Sequence, residues 1–170
     1  MPLWKLRRNR VQSEAETTPL IRAMRYSDLS KVLEIEKQIY EFPWPRRAFE
    51  DCLRLGYYCV LVCEGGRRGE ELVCGYGIMD AGGSEAHICN VSVAEDRQRQ
   101  GIGRFLMEAL LTRAKGKGAE GAYLEVRPSN HGAQAFYRKL GFHHASTRRD
   151  YYRARIGVED AWIFRIEIGA

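Results

Sequence analysis

The sequence has no apolar run near the roughly 18 residues that a membrane-spanning helix needs. Histidine is scarce, with four residues scattered through 170, and the five cysteines form no Cys-x-x-Cys pair. These absences argue against a transmembrane protein and against a zinc-type metal centre; His143-His144 reads as a strand pair rather than a ligand pair. Cys52, Cys59, Cys63, Cys74 and Cys89 stand in apolar surroundings. That suits reduced core thiols of a cytoplasmic protein better than a disulfide framework. Residues 1–19 carry Lys5, Arg7, Arg8 and Arg10 but no apolar stretch of a secretory signal. They show no core-forming pattern either. We read 1–19 as a flexible basic tail and 20–170 as one domain, without internal repeats or a linker.

What is present is an ordinary balance for a globular protein, 45% hydrophobic and 29% charged. The net charge of +5 is mild and partly confined to the tail. Such a balance suits an anionic small ligand. It would also suit nucleic acid or a membrane surface, but a solvated tail is the plainer reading.

Leu20 to Met24 reads as a strand. Ser27 offers an N-cap for an amphipathic helix, with Leu29, Val32, Leu33, Ile35, Ile39 and Tyr40 at near-helical spacing. Glu41-Phe42-Pro43-Trp44-Pro45 ends it, and Pro45 suits the first position of a short helix to about Leu55. Tyr57–Glu64, Glu71–Asp80 and Glu85–Val93 follow as three consecutive strands separated by glycine-rich turns. A helix is expected over 104–117, then a buried strand at 122–126, which suggests a parallel crossover. Ser129 can cap a helix to Lys139 that Gly141 ends. Residues 142–152 and 160–168 form a closing antiparallel pair.

The chain is organised around Val91-Ser92-Val93-Ala94-Glu95-Asp96-Arg97-Gln98-Arg99-Gln100-Gly101-Ile102-Gly103-Arg104. An apolar strand end runs into Gln-x-x-Gly-x-Gly and then into a helix. The first turn of a helix has free N–H groups and the positive end of the macrodipole. Glycines let an anion approach those amides, so the loop reads as a phosphate site, with Arg97, Arg99 and Arg104 adding charge. It lacks the third glycine of a dinucleotide fingerprint and the Gly-Lys-Ser/Thr of a P-loop.

Downstream stand Leu124-Glu125-Val126-Arg127-Pro128-Ser129-Asn130 and Ala135-Phe136-Tyr137-Arg138-Lys139-Leu140-Gly141-Phe142. Together with the glycine loop they resemble the GCN5-related N-acetyltransferases. The resemblance implies an α/β fold: a mixed, mostly antiparallel sheet of about seven strands, with a splayed central pair and helices on both faces. It implies acetyl-CoA as cosubstrate and no metal. Arg99, Gln100, Gly101, Ile102, Gly103 and Arg104 would hold the pyrophosphate. Backbone at Val91, Ser92 and Val93 would bond the pantetheine arm, and Asn130 would contact the cofactor.

Acyl transfer to an amine needs a proton acceptor, because only the neutral amine attacks, and the departing thiolate gains from a proton donor. Glu125 lies inside an apolar strand, where an acid is costly without a reason; the competing reading is an outward-facing residue. Tyr137 is the donor candidate against a reading as core aromatic. The resemblance assigns these same roles. Phe42, Trp44, Tyr151 and Tyr152 are candidates for a peptide groove, against a reading of the first two as plugs of the core edge.

Within the family, Phe42-Pro43-Trp44, Glu125-Val126-Arg127 and Arg148-Arg149-Asp150-Tyr151-Tyr152 resemble protein N-terminal acetyltransferases. The match is to bacterial members that act on the N-terminal alanine of a small-subunit ribosomal protein. The partners implied are that N-terminus and acetyl-CoA, with no membrane or nucleic acid required and a monomeric enzyme. Two alternatives stand beside it: acetylation of a small-molecule amine, such as a polyamine or antibiotic, or a noncatalytic acyl-CoA-binding, ribosome-associated module.

Overall fold

A computed structural model of the chain describes residues 18–65 and 70–169. The tail reading for residues 1–17 and most of the turn at 65–69 lie outside these. Among the described residues the order is β1 (Leu20–Ala23), α1 (Leu29–Ile39), α2 (Arg46–Arg54), β2 (Tyr58–Gly65), β3 (Glu71–Asp80) and β4 (Glu85–Val93). There follow α3 (Ile102–Gly116), β5 (Gly121–Val126), α4 (His131–Lys139), β6 (His143–Arg153) and β7 (Val158–Glu167).

The strands form one seven-stranded sheet in the order β1-β2-β3-β4-β5-β7-β6. All pairs are antiparallel except β4 with β5, whose parallel pairing is bridged by α3 as such a crossover requires. The parallel pairing is short: Glu85↔Gly121, Ala86↔Ala122 and His87↔Tyr123. Beyond it the two strands part. This mixed α/β architecture is the fold expected from the sequence, splayed pair included.

Helices cover both faces because the strands are apolar on both. On β2, Val60 and Val62 face one side, and Cys59, Leu61 and Cys63 the other, all buried. The first side packs against Leu106, Met107, Leu110 and Ala114 of α3, with Phe136 and Tyr137 of α4 at its edge. The second packs against Leu29, Val32 and Ile35 of α1 and Phe49 and Cys52 of α2. Leu110 is fully buried; truncating such a residue to alanine costs about 2–5 kcal/mol.

One irregularity decides what faces the site. Pairing of β3 with β4 passes from Met79↔Ile88 to Ile78↔Asn90, so Cys89 is an inserted residue. Ala86 and Ile88 precede it on the α3 side. After the insertion Val91 and Val93 take that side, and Asn90 and Ser92 turn inward toward α1. An uninterrupted alternation along the strand would have reversed these four.

Helix starts differ from expectation in a consistent way. A 3-10 turn at Tyr26–Asp28 precedes α1, and Asp28 rather than Ser27 accepts a backbone N–H there, from Arg25 at 2.8 Å. The reason is Arg22, whose guanidinium holds the Asp28 carboxylate at 2.8 Å. Pro45 is the N-cap of α2 rather than its first residue. Asn130, not Ser129, caps α4, and α3 begins at Ile102 instead of 104.

Candidate active site

The early start of α3 places Ile102, Gly103 and Arg104 in its first turn, where amides have no intrahelical acceptor. Gly101 is the N-cap at φ 86°, a left-handed conformation that a side chain disfavours. Arg99 also has positive φ, 63°. The amides of Gln98 and Gln100 fold back onto the carbonyls of Val93 (3.3 Å) and Asp96 (3.1 Å), closing the loop on itself. Arg104 pairs with Glu108 at 2.9 Å, and Arg97 points away to Glu64 at 3.4 Å. Arg97 therefore does not join the loop charge as expected. A Cβ on Gly103 would only touch the Phe136 ring at 3.4 Å, so α3 and α4 meet next to the loop.

The loop leads directly from the splay. Past His87 the β4 edge has no pairing with β5, which leaves Ile88 to Val93 lining a slot. Tyr40, just after α1, reaches this edge. Its hydroxyl accepts from Ser92 Oγ at 3.0 Å and lies 3.4 Å from the Val91 carbonyl oxygen. Behind it Asn90, Tyr76 and buried Glu36 form a hydrogen-bonded group: Tyr76 donates to Glu36 Oε2, as does Asn90 Nδ2 at 3.3 Å.

Where β4 and β5 part stands Glu125. Its side chain is 7% exposed. His87 Nε2 lies 2.7 Å from Oε2, and Arg148 Nη1 3.4 Å from Oε1. The acid that seemed costly inside an apolar strand is thus held by two basic side chains. The His87 ring stacks on Tyr123, centroids 4.6 Å apart and nearly parallel, and its Nδ1 is 3.7 Å from Cys89 Sγ. Burial alone would push the imidazole down; its bonds to Cys89 and Glu125 outweigh this and raise it to about 10.

Tyr137 projects from α4 between Phe136 and Phe142, ring centroids 5.3 and 5.8 Å away. Burial pushes its phenol well up, and the nearby Tyr40 and Tyr152 hydroxyls add to this. Tyr152 is raised by burial and then by Glu125. Tyr152 is therefore within electrostatic reach of both Glu125 and Tyr137. A phenol with a raised pKa stays protonated at neutral pH, as a proton donor must.

The α1–α2 loop closes one side. Trp44 donates its backbone N–H to Glu36 Oε1 at 2.7 Å, and its ring packs on Phe49 at 5.5 Å. Trp44 thus plugs the core edge while Phe42 is exposed. Arg155, between β6 and β7, reaches Glu41 at 3.2 Å, which draws this loop toward the hairpin bearing Tyr151 and Tyr152. The two tyrosines meet edge to face at 4.9 Å, Tyr151 exposed and Tyr152 covered by Arg127 at 4.2 Å. β6 is irregular here, with register shifting between Arg148 and Tyr152 and Asp150 at φ 54°.

The turn from β5 to α4 is pinned from three sides. Asn130 Oδ1 accepts from Ala133 N at 3.0 Å, and Gln134 Nε2 donates to the Arg127 and Pro128 carbonyls at 3.1 and 2.7 Å. Glu159 of β7 takes the Ser129 N–H at 2.8 Å and Arg127 at 3.1 Å. Those bonds outweigh the upward push of burial and hold its carboxyl below the usual range. Sequence reasoning had not singled out His87, Tyr40, Glu36 or this role of Glu159. Among the described residues no group of three or more His, Cys, Asp or Glu could hold a metal ion.

A glycine-gated helix N-terminus, a slot between splayed strands and an acid at its apex suit a phosphate-bearing, extended acyl carrier. Comparison with known proteins agrees. Residues 29–142 match the sequence model of the Acetyltransferase (GNAT) family. The chain belongs to the GNAT acetyltransferase family. It is 34% identical over 148 residues to the [Ribosomal protein bS18]-alanine N-acetyltransferase of Escherichia coli, covering 87% of this chain and 97% of that one. It is 35% identical over 161 residues to the N-alpha-acetyltransferase RimI of Mycobacterium tuberculosis, covering 91% and 97%. The crystal structure of the ribosomal-protein-S18-alanine N-acetyltransferase from Escherichia coli superposes with a TM-score of 0.79 at 33% identity, covering 89% of this chain and 95% of that one. This GNAT protein is an acetyl-CoA-dependent N-acetyltransferase.

Proposed function

We propose that the protein acetylates the N-terminal α-amine of a protein, with the alanine terminus of a small-subunit ribosomal protein as substrate. The supporting observation is the buried Glu125 carboxylate at the apex of the β4–β5 splay, held there by His87 and Arg148. Of the relatives named above, matched over nearly their whole length, the Escherichia coli enzyme is by name a ribosomal protein bS18-alanine N-acetyltransferase and the Mycobacterium tuberculosis one an N-alpha-acetyltransferase.

Acetyl-CoA supplies an acetyl thioester. In this reading the amides of Gly101 to Arg104, with Arg99 and Gln100, take the pyrophosphate. The open edge at Val91, Ser92 and Val93 takes the pantetheine arm, and Asn130 contacts the carrier near α4. Glu125 accepts the proton of the attacking amine, directly or through a water, and Tyr137 donates a proton to the departing thiolate. An α-amine with a pKa of about 7.7–8.0 makes a carboxylate an adequate acceptor. The peptide enters between the Phe42–Trp44 loop and the Tyr151–Tyr152 strand, both apolar at their exposed parts. That apolar mouth favours a peptide over a polyamine. No helix among the described residues is long and apolar enough to cross a membrane. The reading places the enzyme in the cytoplasm, monomeric, as a single domain behind its basic tail and without need of nucleic acid.

The test is mass spectrometry of peptide mixtures incubated with enzyme and acetyl-CoA. Acetylation confined to α-amines, foremost of alanine-initiated peptides, is the expected result. Transfer to lysine side chains or polyamines instead, or binding without transfer, would overturn the reading.

A further inference from the structure

We infer that His87 is a positioning residue of the reaction: held at the last paired position before β4 and β5 part, it supplies the positive charge that fixes Glu125. This rests on the reading of Glu125 as proton acceptor and extends it to a residue outside that role.

The argument begins with the strand. His87 opposes Tyr123 in the final β4–β5 pair, and Glu125 is two residues further along β5 on the same face. Parting strands open space beside Glu125, and the imidazole fills one side of it. The ring has little freedom. Tyr123 covers its face, Cys89 meets Nδ1 and Glu125 meets Nε2.

The carboxylate needs this partner. The Glu125 side chain is 7% exposed, and taking a carboxylate out of water is costly without a partner of opposite charge. Arg148 also approaches, but at 3.4 Å and from a side chain 53% exposed, where water screens it. His87, at 2.7 Å and 29% exposed, is the stronger influence. The other titratable groups facing the pair are Cys89 on β4, Tyr123 on β5, Tyr152 on β6 and Asp80, which opposes His87 on β3. Asp80 adds negative charge there.

The variant His87→Gln separates charge from hydrogen bonding, since an amide can still donate to Oε2. With saturating peptide and acetyl-CoA, the acid limb of its kcat–pH profile should move up by about one pH unit or more. Below the limb kcat then falls about tenfold, while at pH 9 it approaches wild type and the acetyl-CoA KM stays put. An unmoved limb overturns the proposal, whatever the overall loss of rate. A second measurement does not depend on folding of that variant. By NMR the His87 ring of the wild-type protein should remain charged through pH 8. In Glu125→Gln it should titrate more than one unit lower. Wild-type titration near 6.5 overturns the proposal. Full activity of Glu125→Gln would instead reject Glu125 as the acceptor, while leaving the NMR result to judge the pair.

Discussion

The two ends of the slot are built on different principles. At the α3 end the groups that the proposed reading offers to acetyl-CoA are backbone amides, set by Gly101 at φ 86° and a helix that starts at Ile102. Seven consecutive residues, Gln98 to Arg104, contain all of it. At the Glu125 end the groups are side chains, drawn from β4, β5, α4, β6 and the segment after α1. Nothing in that cluster is contiguous. In that reading the loop end binds through backbone geometry, whereas the Glu125 end works through ionisation states that its neighbours set. The contrast predicts that damage at one end shows as lost affinity and at the other as lost rate.

The largest effect should come from Glu125→Gln, which keeps shape and removes the proton acceptor. Its kcat should fall by about 10²–10⁴-fold at neutral pH, the usual range for a positioned base. Part of the loss should return as pH rises and solvent deprotonates the amine. Tyr137→Phe should show a deficit that persists at high pH but shrinks with an acetyl donor of lower thiol pKa. Calorimetry should find acetyl-CoA affinity little changed in both. Parallel pH–rate profiles in the two variants would merge base and acid into a single positioning effect.

Gly101→Glu is the matching blow to the other end. It sets a negative charge and a disfavoured left-handed side chain where the pyrophosphate is expected. Acetyl-CoA affinity should drop more than tenfold by calorimetry, with the circular dichroism spectrum intact. No other heavy atom lies within 4 Å of a Cβ built at Gly101, so the fold has room for it. Unchanged affinity would move the phosphates elsewhere. A smaller effect is expected of Trp44→Ala, which keeps the backbone bond to Glu36 but loses the ring: peptide KM should rise several-fold, since the Trp44 ring anchors the α1–α2 loop on Phe49. A KM equal to wild type in a folded variant would place the peptide outside that loop.

The same contrast explains what could be read from the sequence. The strand–glycine loop–helix unit was legible because its parts are neighbours in the chain and act through backbone. The order of strands and helices was legible from periodicity. Glu125 and Tyr137 stood out through their motif, but their surroundings did not. His87 is a lone histidine in a strand, and only the parallel register of β4 with β5 sets it beside Glu125. The inserted Cys89 turns Asn90 and Ser92 inward, and no local signal marks a bulge there. Trp44 stood between core plug and substrate wall, and no local signal marks Glu36, forty residues from its partner Tyr76, as the acceptor of its backbone N–H. Helix caps slipped by one residue for a similar reason: Asp28 is chosen by Arg22, and the β5–α4 turn is pinned by Glu159 of β7. Distant partners decided these positions.

The smallest effect is also the one that separates the two ends most cleanly, because it is read in stability. His87 is raised in the folded protein, to about 10 from an ordinary 6.5, by Cys89 and Glu125 acting against burial. A group whose folded pKa is raised contributes stability that is fully present below its unfolded pKa. That contribution is lost as pH rises through the folded one. The His87–Glu125 pair should therefore stabilise fully below pH 6.5, less as pH climbs, and not at all above about 10. After allowance for partial exposure, Glu125→Gln should lower stability by about 1 kcal/mol at pH 6, or roughly 2–4 °C in Tm. The difference from wild type should close as the buffer is taken toward pH 10. The carboxylate that Gly101→Glu adds is already ionised at pH 6, so its Tm offset should stay level across the same range. A Glu125→Gln offset that also stayed level would mean that His87 is uncharged beside the carboxylate. The two ends would then not differ in their dependence on pH.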